Sequence, residues 1–426
     1  MTPTKLPTLV GTTAIGPAVV PLIAVVIFIN YVDRGNLATA APLMKDELGL
    51  SSTQIGVLLS AFFWSYVPAQ ILAGWLAERI NPYRTLALGL ALWSIATALS
   101  GVATGFAMLI GLRLLLGLGE SAAFPCSSKL LAQHLPSHRL GGANGLIGVG
   151  MALGPTLGTF GGGLLIAQIG WRSVFILFGL CSLLWLVPWY AATRSVSDQI
   201  NVQSVDTGPS LAEIMKRREV WGASLGQFCG NYAFYFVISW LPLYLVKARG
   251  LSVEHMAELG GLIYLVYAIS SITVGRLSDR WIRSGASDNR VRKTLIIVGH
   301  LMMAASLIVT AVGDIRVSVI GLMVAGVAFG FNTPTLYAIG QTLAGPQVTG
   351  RWMGIQNCVA NVAGIVGPVI TGFVVDRTGQ YYWAFIIAAA IAAIGIIGWG
   401  FMITTVAPLN WHSRATGRGA LLTDPA

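Results

Sequence analysis

Apolar stretches of membrane-spanning length recur along almost the whole chain, and short polar segments separate them. A helix needs roughly 20 apolar residues to cross a bilayer, and about twelve stretches of that kind are present. They cover residues 18–43, 53–75, 85–104, 106–130, 143–167, 172–192, 221–246, 258–276, 294–312, 317–341, 352–374 and 381–404. The pattern predicts an all-α membrane protein with twelve transmembrane helices.

A longer polar segment, residues 194–219, divides the spans into two sets of six. It ends in a basic run that includes Lys216, Arg217 and Arg218. We therefore expect an N-terminal six-helix bundle over 1–193, a central cytoplasmic loop over 194–219, and a C-terminal six-helix bundle with a cytoplasmic tail over 220–426.

One short motif occurs once in each half, after the second and the eighth span. Its pattern is glycine, three residues, an acid and an arginine, and its copies are Gly74, Glu78, Arg79 and Gly275, Asp279, Arg280. Glycine lets a helix end approach its neighbour, an acid caps a helix N-terminus, and arginine pairs with carboxylates or terminal carbonyls. A solvated turn is the simpler interpretation of one copy. Two matching copies predict a parallel repeat and a cytoplasmic gate that joins the halves.

Composition and charge agree with a membrane location. The 426-residue chain has a mean hydropathy of +0.73 and 10% charged residues, whereas soluble domains carry about 25%. The net charge of +10 lies in short loops, which argues against nucleic-acid binding. Of the 26 lysines and arginines, 18 fall on the side of both termini and six on the other. The positive-inside rule therefore predicts cytoplasmic N- and C-termini.

Away from the ends of the predicted spans, four charged side chains lie inside them, all in the N-terminal half: Asp33, Arg34, Arg113 and Glu120. A charge at the centre of a membrane helix costs about 2.5–3.5 kcal/mol on the insertion scale, and such groups are functional by default. Arg113 and Glu120 are two helical turns apart and share a face of the fourth helix. We expect Asp33 to pair with Arg113 and Arg34 with Glu120. A static ion-pair network for folding is the alternative.

Neutral polar side chains replace the charges in the C-terminal half. They are Gln227, Asn231, Tyr232, Trp240, Asn332, Thr335, Tyr337, Gln341, Gln356, Asn357 and Asn361. Such donors and acceptors suit the hydroxyls of a polyol acid, although each can equally join two helices. Tyr66 on the second helix is a further candidate. We expect other aromatic residues, among them Phe63, Phe234 and Tyr235, to be packing or interface anchors.

The duplicated motif, together with the Gly-Pro stretches around Pro155 and Pro368, resembles the major facilitator superfamily over nearly the whole chain. Within that superfamily, segments 30–36, 113–125 and 354–361 resemble the anion:cation symporter family. That family includes bacterial permeases for galactonate, hexuronates and glucarate, and the vesicular glutamate and sialic acid carriers.

The resemblance implies roles for particular residues. It implies that Asp33 and Glu120 carry protons, that Arg34 meets the anion, and that Gln227 and Asn357 contact the substrate. Protonation of Glu120 would release Arg34 for a substrate carboxylate, which couples proton binding to anion binding without covalent chemistry.

We therefore expect a proton-coupled symporter that imports organic anions, chiefly aldonate- or hexuronate-type sugar acids, by alternating access. The alternatives are a transporter of another carboxylate, such as an aromatic acid or a dicarboxylate, and a proton–drug antiporter. We expect a monomer in the bacterial inner membrane whose partners are the anion, protons and membrane lipid. No cofactor, metal or catalytic site is expected, because the intramembrane His300 has no serine motif beside it.

Overall fold

The computed structural model describes residues 18–50, 52–197 and 209–411, and all the regular elements in these ranges are helical. The helices, α1 to α16 in chain order, are Val19–Leu48, Ser52–Arg79, Pro82–Ser100, Phe106–Glu120, Ala123–His134, Ser137–Thr156, Gly162–Leu183, Leu186–Ser197, Leu211–Met215, Arg218–Leu243, Val253–Arg283, Asp288–Val312, Ile315–Ala344, Thr349–Asn361, Ala363–Thr378 and Tyr382–Ile397. Single π-helical turns, Leu157–Gly161, Tyr244–Ala248 and Gly398–Met402, extend α6, α10 and α16.

Each of the twelve predicted spans coincides with one helix or with two helical segments in series, which confirms the all-α architecture. The fourth span consists of α4 and α5, and the eleventh consists of α14 and α15. Within the described ranges, nine segments are long and apolar enough to cross a membrane by length and composition. The predicted spans that fall outside those segments are built on α3, α6 and α10, because glycines and polar side chains lower their hydropathy.

The fifth and sixth spans are joined by a sharp turn inside α7. Gly170 has φ 77° and ψ 158° there. This backbone conformation is accessible to glycine at little cost and is strained for other residues. The glycine therefore lets one span end and the next begin without an intervening loop.

Part of the predicted central loop is helical. α8 continues to Ser197, and α9 begins after a capping box in which Ser210 and Glu213 exchange hydrogen bonds. The guanidinium of Arg351 on α14 donates to the carbonyl of Pro209 at 2.5 Å, which ties the end of the loop to the C-terminal half. Residues 198–208 lie outside the described residues. The bundle limits at 193 and 220 remain predictions.

The two halves meet at the end of the bundle where α2, α5, α11 and α13 finish, which we call the basic end. The helix pairs α2–α14 and α6–α11 make the contact. A Cβ atom on Gly74 would lie 2.3 Å from the carbonyl oxygen of Gly350, and one on Gly275 would lie 2.2 Å from that of Gly141. Backbone rather than side chains fills these crossings, so glycine is required on both sides.

Candidate functional site

A buried ion pair joins α1 to α4 near the middle of the N-terminal half. Arg34 Nε donates to Glu120 Oε2 at 3.0 Å; Glu120 is fully buried, and the Arg34 side chain is 15% exposed. The predicted pairing of these two residues is therefore confirmed. Arg34 Nη2 and Glu120 Oε1 are buried and make no hydrogen bond to a described residue. The pair therefore has one donor on Arg34 and one acceptor on Glu120 without a partner of ordinary hydrogen-bond geometry in the described chain.

Three aromatic rings surround the Arg34 guanidinium and form what we call the arginine cage. Its central carbon lies 4.7 Å from the ring centroid of Tyr31, 5.0 Å from that of Phe62 and 4.7 Å from that of Tyr66. Tyr31 is one helical turn before Arg34, and Phe62 and Tyr66 stack on each other one turn apart on α2. Desolvated cation–π contacts contribute about 2 kcal/mol or more. The cage therefore holds the cation in place away from lipid.

Asp33 occupies a different environment from its neighbour Arg34. Adjacent side chains on a helix point about 100° apart, so with Arg34 turned toward α4, Asp33 lies beside the Thr97 hydroxyl on α3. Both carboxylate oxygens are buried and accept no hydrogen bond of ordinary geometry from a described residue. Arg113 Nη2 is likewise buried and unpaired within the described chain. Asp33 and Arg113 attract each other electrostatically, but they make no direct hydrogen bond among the described contacts, so the predicted direct ion pair is not formed in this conformation.

A cavity lies between the halves, beside the arginine cage. Its lining includes five tyrosines and four amide side chains: Tyr31, Tyr66, Tyr235, Tyr267, Tyr337, Gln227, Asn231, Asn332 and Asn361. Helices from both halves contribute to this surface, which carries hydroxyl and amide groups but no charge among its described residues. The cavity thus offers hydrogen bonds, and the nearest cation is Arg34 behind two of the rings.

The amide side chains of the C-terminal half form a connected network. Trp352 Nε1 donates to Gln356 Oε1 at 2.7 Å, Gln356 Nε2 donates to Gln227 Oε1 at 2.7 Å, and Gln227 Nε2 donates to Asn357 Oδ1 at 2.8 Å. Gln227 reaches the cavity, whereas Asn357 lies behind it with a buried Nδ2 that has no described partner. Of the predicted substrate-binding residues, Tyr66 and Gln227 line the cavity, and Arg34 and Asn357 lie one layer deeper.

Sequence reasoning missed part of the cavity wall. Tyr235 was expected to be a packing residue, but it lines the cavity and its hydroxyl donates to Asn361 Oδ1 at 2.8 Å. Tyr267, 2.7 Å from the Thr333 hydroxyl, was not singled out at all. Tyr31 stood in the α1 motif, and its position three residues before Arg34 was the available signal. Nothing comparable in the sequence marks Tyr267.

The acids of the duplicated motif cap helices of the opposite half. Glu78 Oε1 accepts the Gly350 N–H at 2.7 Å. The Asp279 carboxylate accepts the N–H groups of Gly141 and Gly142 at 2.9 and 2.6 Å. Gly350 is the second residue of α14, where backbone N–H groups lack partners within the helix and the helix dipole favours an anion. Gly141 and Gly142 are the fifth and sixth residues of α6, just beyond its first turn. Both acids therefore make equivalent contacts at the basic end.

The motif arginines do not accompany the acids into this contact. Arg79 and Arg280 are exposed. The guanidinium of Arg79 lies over the Trp75 ring, 4.9 Å from its centroid. Their assignment to the gate remains a prediction that the observed side-chain positions do not favour.

Two other cations sit beside the acids, and the sequence did not reveal them. Lys129 on α5 forms a buried ion pair with Glu78 and donates to the carbonyl of Pro346 at 2.6 Å. Arg292 on α12 is buried, and its Nη2 donates to the carbonyl of Ser137 at 2.6 Å. Both cations reach across the boundary between the halves. From the sequence, both had been counted only among the 18 basic residues on the side of the termini.

His300 is enclosed by backbone groups. Its Nδ1 lies 3.0 Å from the carbonyl of Ile296, and its Nε2 lies 3.2 Å from that of Gly226. The ring is buried between α12 and α10, away from the arginine cage. This position favours a structural role for His300.

Known proteins resemble the chain in both sequence and fold. Residues 23–365 and 284–425 match the model of the Major Facilitator Superfamily. A probable sulfoacetate transporter of Cupriavidus necator is 30% identical over 87% of this chain and 90% of its own length. The hexuronate transporter of Bacillus subtilis is 28% identical over 85% of this chain and 89% of its own.

Solved structures agree at the level of the fold. A proton:xylose symporter superposes with a TM-score of 0.73 at 16% identity and covers 92% of this chain and 97% of its own. The fucose:proton symporter of Escherichia coli gives a TM-score of 0.71 at 18% identity, with coverages of 91% and 99%. The chain therefore belongs to the Major Facilitator Superfamily, and it is a multi-pass membrane transporter with twelve transmembrane helices and not an enzyme.

Proposed function

We propose that this transporter is a proton-coupled symporter that imports organic anions, chiefly sugar acids, across a bacterial inner membrane. The observation that carries the proposal is the buried Arg34–Glu120 ion pair beside a neutral, hydrogen-bonding cavity. Relatives named as hexuronate, galactarate/D-glucarate and D-galactonate transporters support this substrate class. The arginine disfavours the proton–drug antiporter, which needs an acid without an anion-binding cation.

Coupling follows from competition for one guanidinium. An ionised Glu120 holds Arg34 Nε, and a substrate carboxylate needs the same cation. When Glu120 takes up a proton, its charge-assisted hydrogen bond weakens, and Arg34 becomes available to the anion. Asp33, buried without a hydrogen-bond partner in the described chain, is the second proton carrier. If two protons accompany a monovalent anion, the membrane potential contributes about 2.3 kcal/mol per charge per 100 mV.

The cavity wall suits the rest of a sugar acid. Tyrosine hydroxyls and amides both donate and accept hydrogen bonds, as the hydroxyls of an aldonate or hexuronate require. A small sulfonate is the second candidate, because the probable sulfoacetate transporter is 30% identical and tyrosine hydroxyls can donate to sulfonate oxygens. Aromatic acids and dicarboxylates remain the other carboxylate alternatives.

Transport proceeds by rocking of the two halves about this site. The close backbone contacts at Gly74 and Gly275 and the hydrogen bonds of Glu78 and Asp279 close the basic end. We propose that this end, with both termini, faces the cytoplasm. In that orientation the site is closed to the cytoplasm. Three charges in the topology count, Lys5, Arg414 and Arg418, lie outside the described residues. We propose that the monomer is the transporting unit.

The test combines ligand binding with transport. Purified protein is screened by thermal unfolding against gluconate, glucuronate, sulfoacetate, benzoate and lipophilic cations, with glucose as the neutral control. A ligand at 100 times its Kd stabilises the folded state by about 2.7 kcal/mol. We expect a sugar acid to raise the midpoint, glucose to leave it unchanged, and Arg34→Ala to abolish the shift. Stabilisation by lipophilic cations alone would overturn the proposal.

Proton coupling is tested in proteoliposomes with the ligand that the screen identifies. We expect an inward proton gradient to drive accumulation by the unmodified protein, and Glu120→Gln to abolish that accumulation. Glu120→Gln should still exchange labelled for unlabelled substrate, because its neutral side chain leaves Arg34 available. Accumulation that ignores the proton gradient would contradict proton symport while leaving the anion site intact.

A further inference from the structure

The chain continues along the basic end of the C-terminal half after its last helical turn. Residues 403–411 form no helix there, and we call them the C-terminal strap. Lys293 Nζ on α12 donates to the carbonyl of Ile403 at 2.8 Å, and the Val406 N–H donates to Asn289 Oδ1 at 2.9 Å. The beginning of the strap is therefore bound to the first turns of α12.

The other end of the strap binds the end of α13. The Leu409 N–H donates to the carbonyl of Leu343, and Trp411 Nε1 donates to the carbonyl of Ala344, both at 3.0 Å. These carbonyls belong to the last turn of α13, where a helix leaves its acceptors without partners of its own. The guanidinium of Arg217 lies 5.4 Å from the centroid of the Trp411 ring. The strap therefore caps α13, and a cation from the central loop covers the capping tryptophan.

The N-terminal half contacts the chain just beyond this cap. Residues 345–348, which we call the α13–α14 turn, connect α13 to α14. Lys129 Nζ donates to the carbonyl of Pro346 at 2.6 Å, and Glu78 Oε1 accepts the N–H of Gly350, the second residue of α14. The turn is therefore held by the strap on its α13 side and by two side chains of the N-terminal half.

These two sets of contacts differ in what happens when the halves separate. The contacts of Lys129 and Glu78 cross the boundary and must break when the basic end opens. The strap contacts lie within the C-terminal half and can persist. Without the strap, the turn would gain conformational freedom chiefly in the open state, because in the closed state the N-terminal half still holds it. Loss of the strap would therefore shift the equilibrium toward the open state.

We infer that the C-terminal strap positions the α13–α14 turn for closure of the basic end, and that Trp411 is a positioning residue for transport. The inference rests on the proposed rocking of the two halves and does not depend on which anion is carried. A turn that is already ordered meets Lys129 and Glu78 without a further entropic cost. The strap thus favours the conformation in which the basic end is closed.

Distances between spin labels in the full-length protein test the inference. Labels on Ile80→Cys and Trp281→Cys, in a background without native cysteines, report opening because both positions are exposed and lie on opposite halves at the basic end. We expect Trp411→Ala to raise the ratio of open to closed populations about tenfold, as the loss of one or two hydrogen bonds would. The matched control is Trp383→Ala, which removes an exposed tryptophan at the other end of α16 and should leave the ratio unchanged.

A second comparison separates positioning from general stability. In Glu78→Met/Lys129→Met the turn has lost its side-chain contacts with the N-terminal half, so the strap restrains it equally in both states. Adding Trp411→Ala to that background should lower the thermal unfolding midpoint without changing the population ratio. A strap that only stabilises the fold would lower the midpoint in both backgrounds and change the ratio in neither, which would overturn the inference.

Gly74→Ala is the positive control for opening, because its Cβ atom would meet backbone of the opposite half. If Gly74→Ala populates the open state and Trp411→Ala does not, the strap does not position the turn, and the proposed transport mechanism is unaffected. If neither variant changes the label distance, the halves do not separate at this end. The proposed rocking mechanism would then fail together with the inference.

Discussion

Asn144 and Gln341 bind each other through both of their amide groups, across the boundary between the halves. Asn144 Nδ2 donates to Gln341 Oε1 at 2.7 Å, and Gln341 Nε2 donates to Asn144 Oδ1 at 3.3 Å. Both side chains are buried. They lie on α6 and α13, about a turn or two from cavity residues toward the basic end. Opening that end must separate two amides that satisfy each other.

The reciprocal amide pair predicts strong non-additivity. Asn144→Leu or Gln341→Leu alone leaves a buried amide without its partner, which costs about 1–3 kcal/mol. The double variant leaves neither amide behind and should lose less than the sum of the single losses. Thermal unfolding midpoints of the four proteins in detergent measure the difference. Strictly additive losses would show that the pair contributes nothing beyond its separate side chains.

The close backbone contacts of Gly74 and Gly275 predict that larger residues at these positions shift the protein toward a conformation in which the basic end is open. Gly74→Ala or Gly275→Ala places a Cβ atom against backbone oxygen, and such overpacking costs about 1–3 kcal/mol. We expect both variants to hold the basic end open, seen as a longer distance between spin labels on Ile80→Cys and Trp281→Cys in a background without native cysteines. Gly111→Ala is the matched control, since nothing lies within 4 Å of its Cβ position. An unchanged label distance in Gly74→Ala would contradict the crossing as described.

The buried Glu78–Lys129 ion pair predicts that replacing one of the two residues destabilises the protein more than replacing both. Both side chains are about 5% exposed, and removing one member of a buried pair strands the other charge at about 3–5 kcal/mol. Glu78→Gln should therefore lower the thermal unfolding midpoint further than Glu78→Gln/Lys129→Gln does. Glu78→Gln retains an oxygen for the Gly350 N–H, so the comparison isolates the charge. A double variant less stable than Glu78→Gln would refute the prediction.

The environment of Asp33 predicts that neutralising its side chain has opposite effects on stability and on transport. Its carboxylate is buried without a hydrogen bond from a described residue, so Asp33→Asn removes the cost of burying a charge. We expect an equal or higher thermal unfolding midpoint, together with at least a tenfold loss of accumulation driven by a proton gradient. Thr97→Val, next to Asp33 on α3, is the control for packing alone. Full proton-driven accumulation by Asp33→Asn would exclude the residue as a proton carrier.

Sequence reasoning succeeded where a physical constraint leaves few solutions. A bilayer admits only spans of a certain length, so the twelve helices could be predicted from hydropathy. A buried charge requires a partner, so the Arg34–Glu120 pair followed from four charges on two helices. The same reasoning did not place Asp33, which lies beside Thr97 on α3 while it still interacts electrostatically with Arg113, because spacing along a helix does not fix the distance from a side chain to its neighbours on other helices.

Other parts of the site depend on packing that sequence spacing does not encode. Tyr235 and Tyr267 are aromatic residues in apolar helices, and only the arrangement of the halves brings them to the cavity. Lys129 lies at the end of a span, where a charge is ordinary, and its ion pair with Glu78 appears only when α2 and α5 are placed together. Arg79 was the expected cation there, but the direction in which α2 ends turns it toward solvent.

The acid caps at the basic end have an evolutionary consequence. Glu78 and Asp279 bind the main chain of the opposite half, so no particular side chain at the receiving position has to co-vary with either acid. Steric size limits Gly350 and Gly141, but among substitutions only proline would delete the donor itself. The side chains around the receiving backbone N–H groups can therefore change during evolution without loss of the hydrogen bonds from the opposite half. Each acid needs only a backbone N–H group near a helix N-terminus and enough space beside it. The contact between the halves can therefore persist while the sequences of the two repeats diverge.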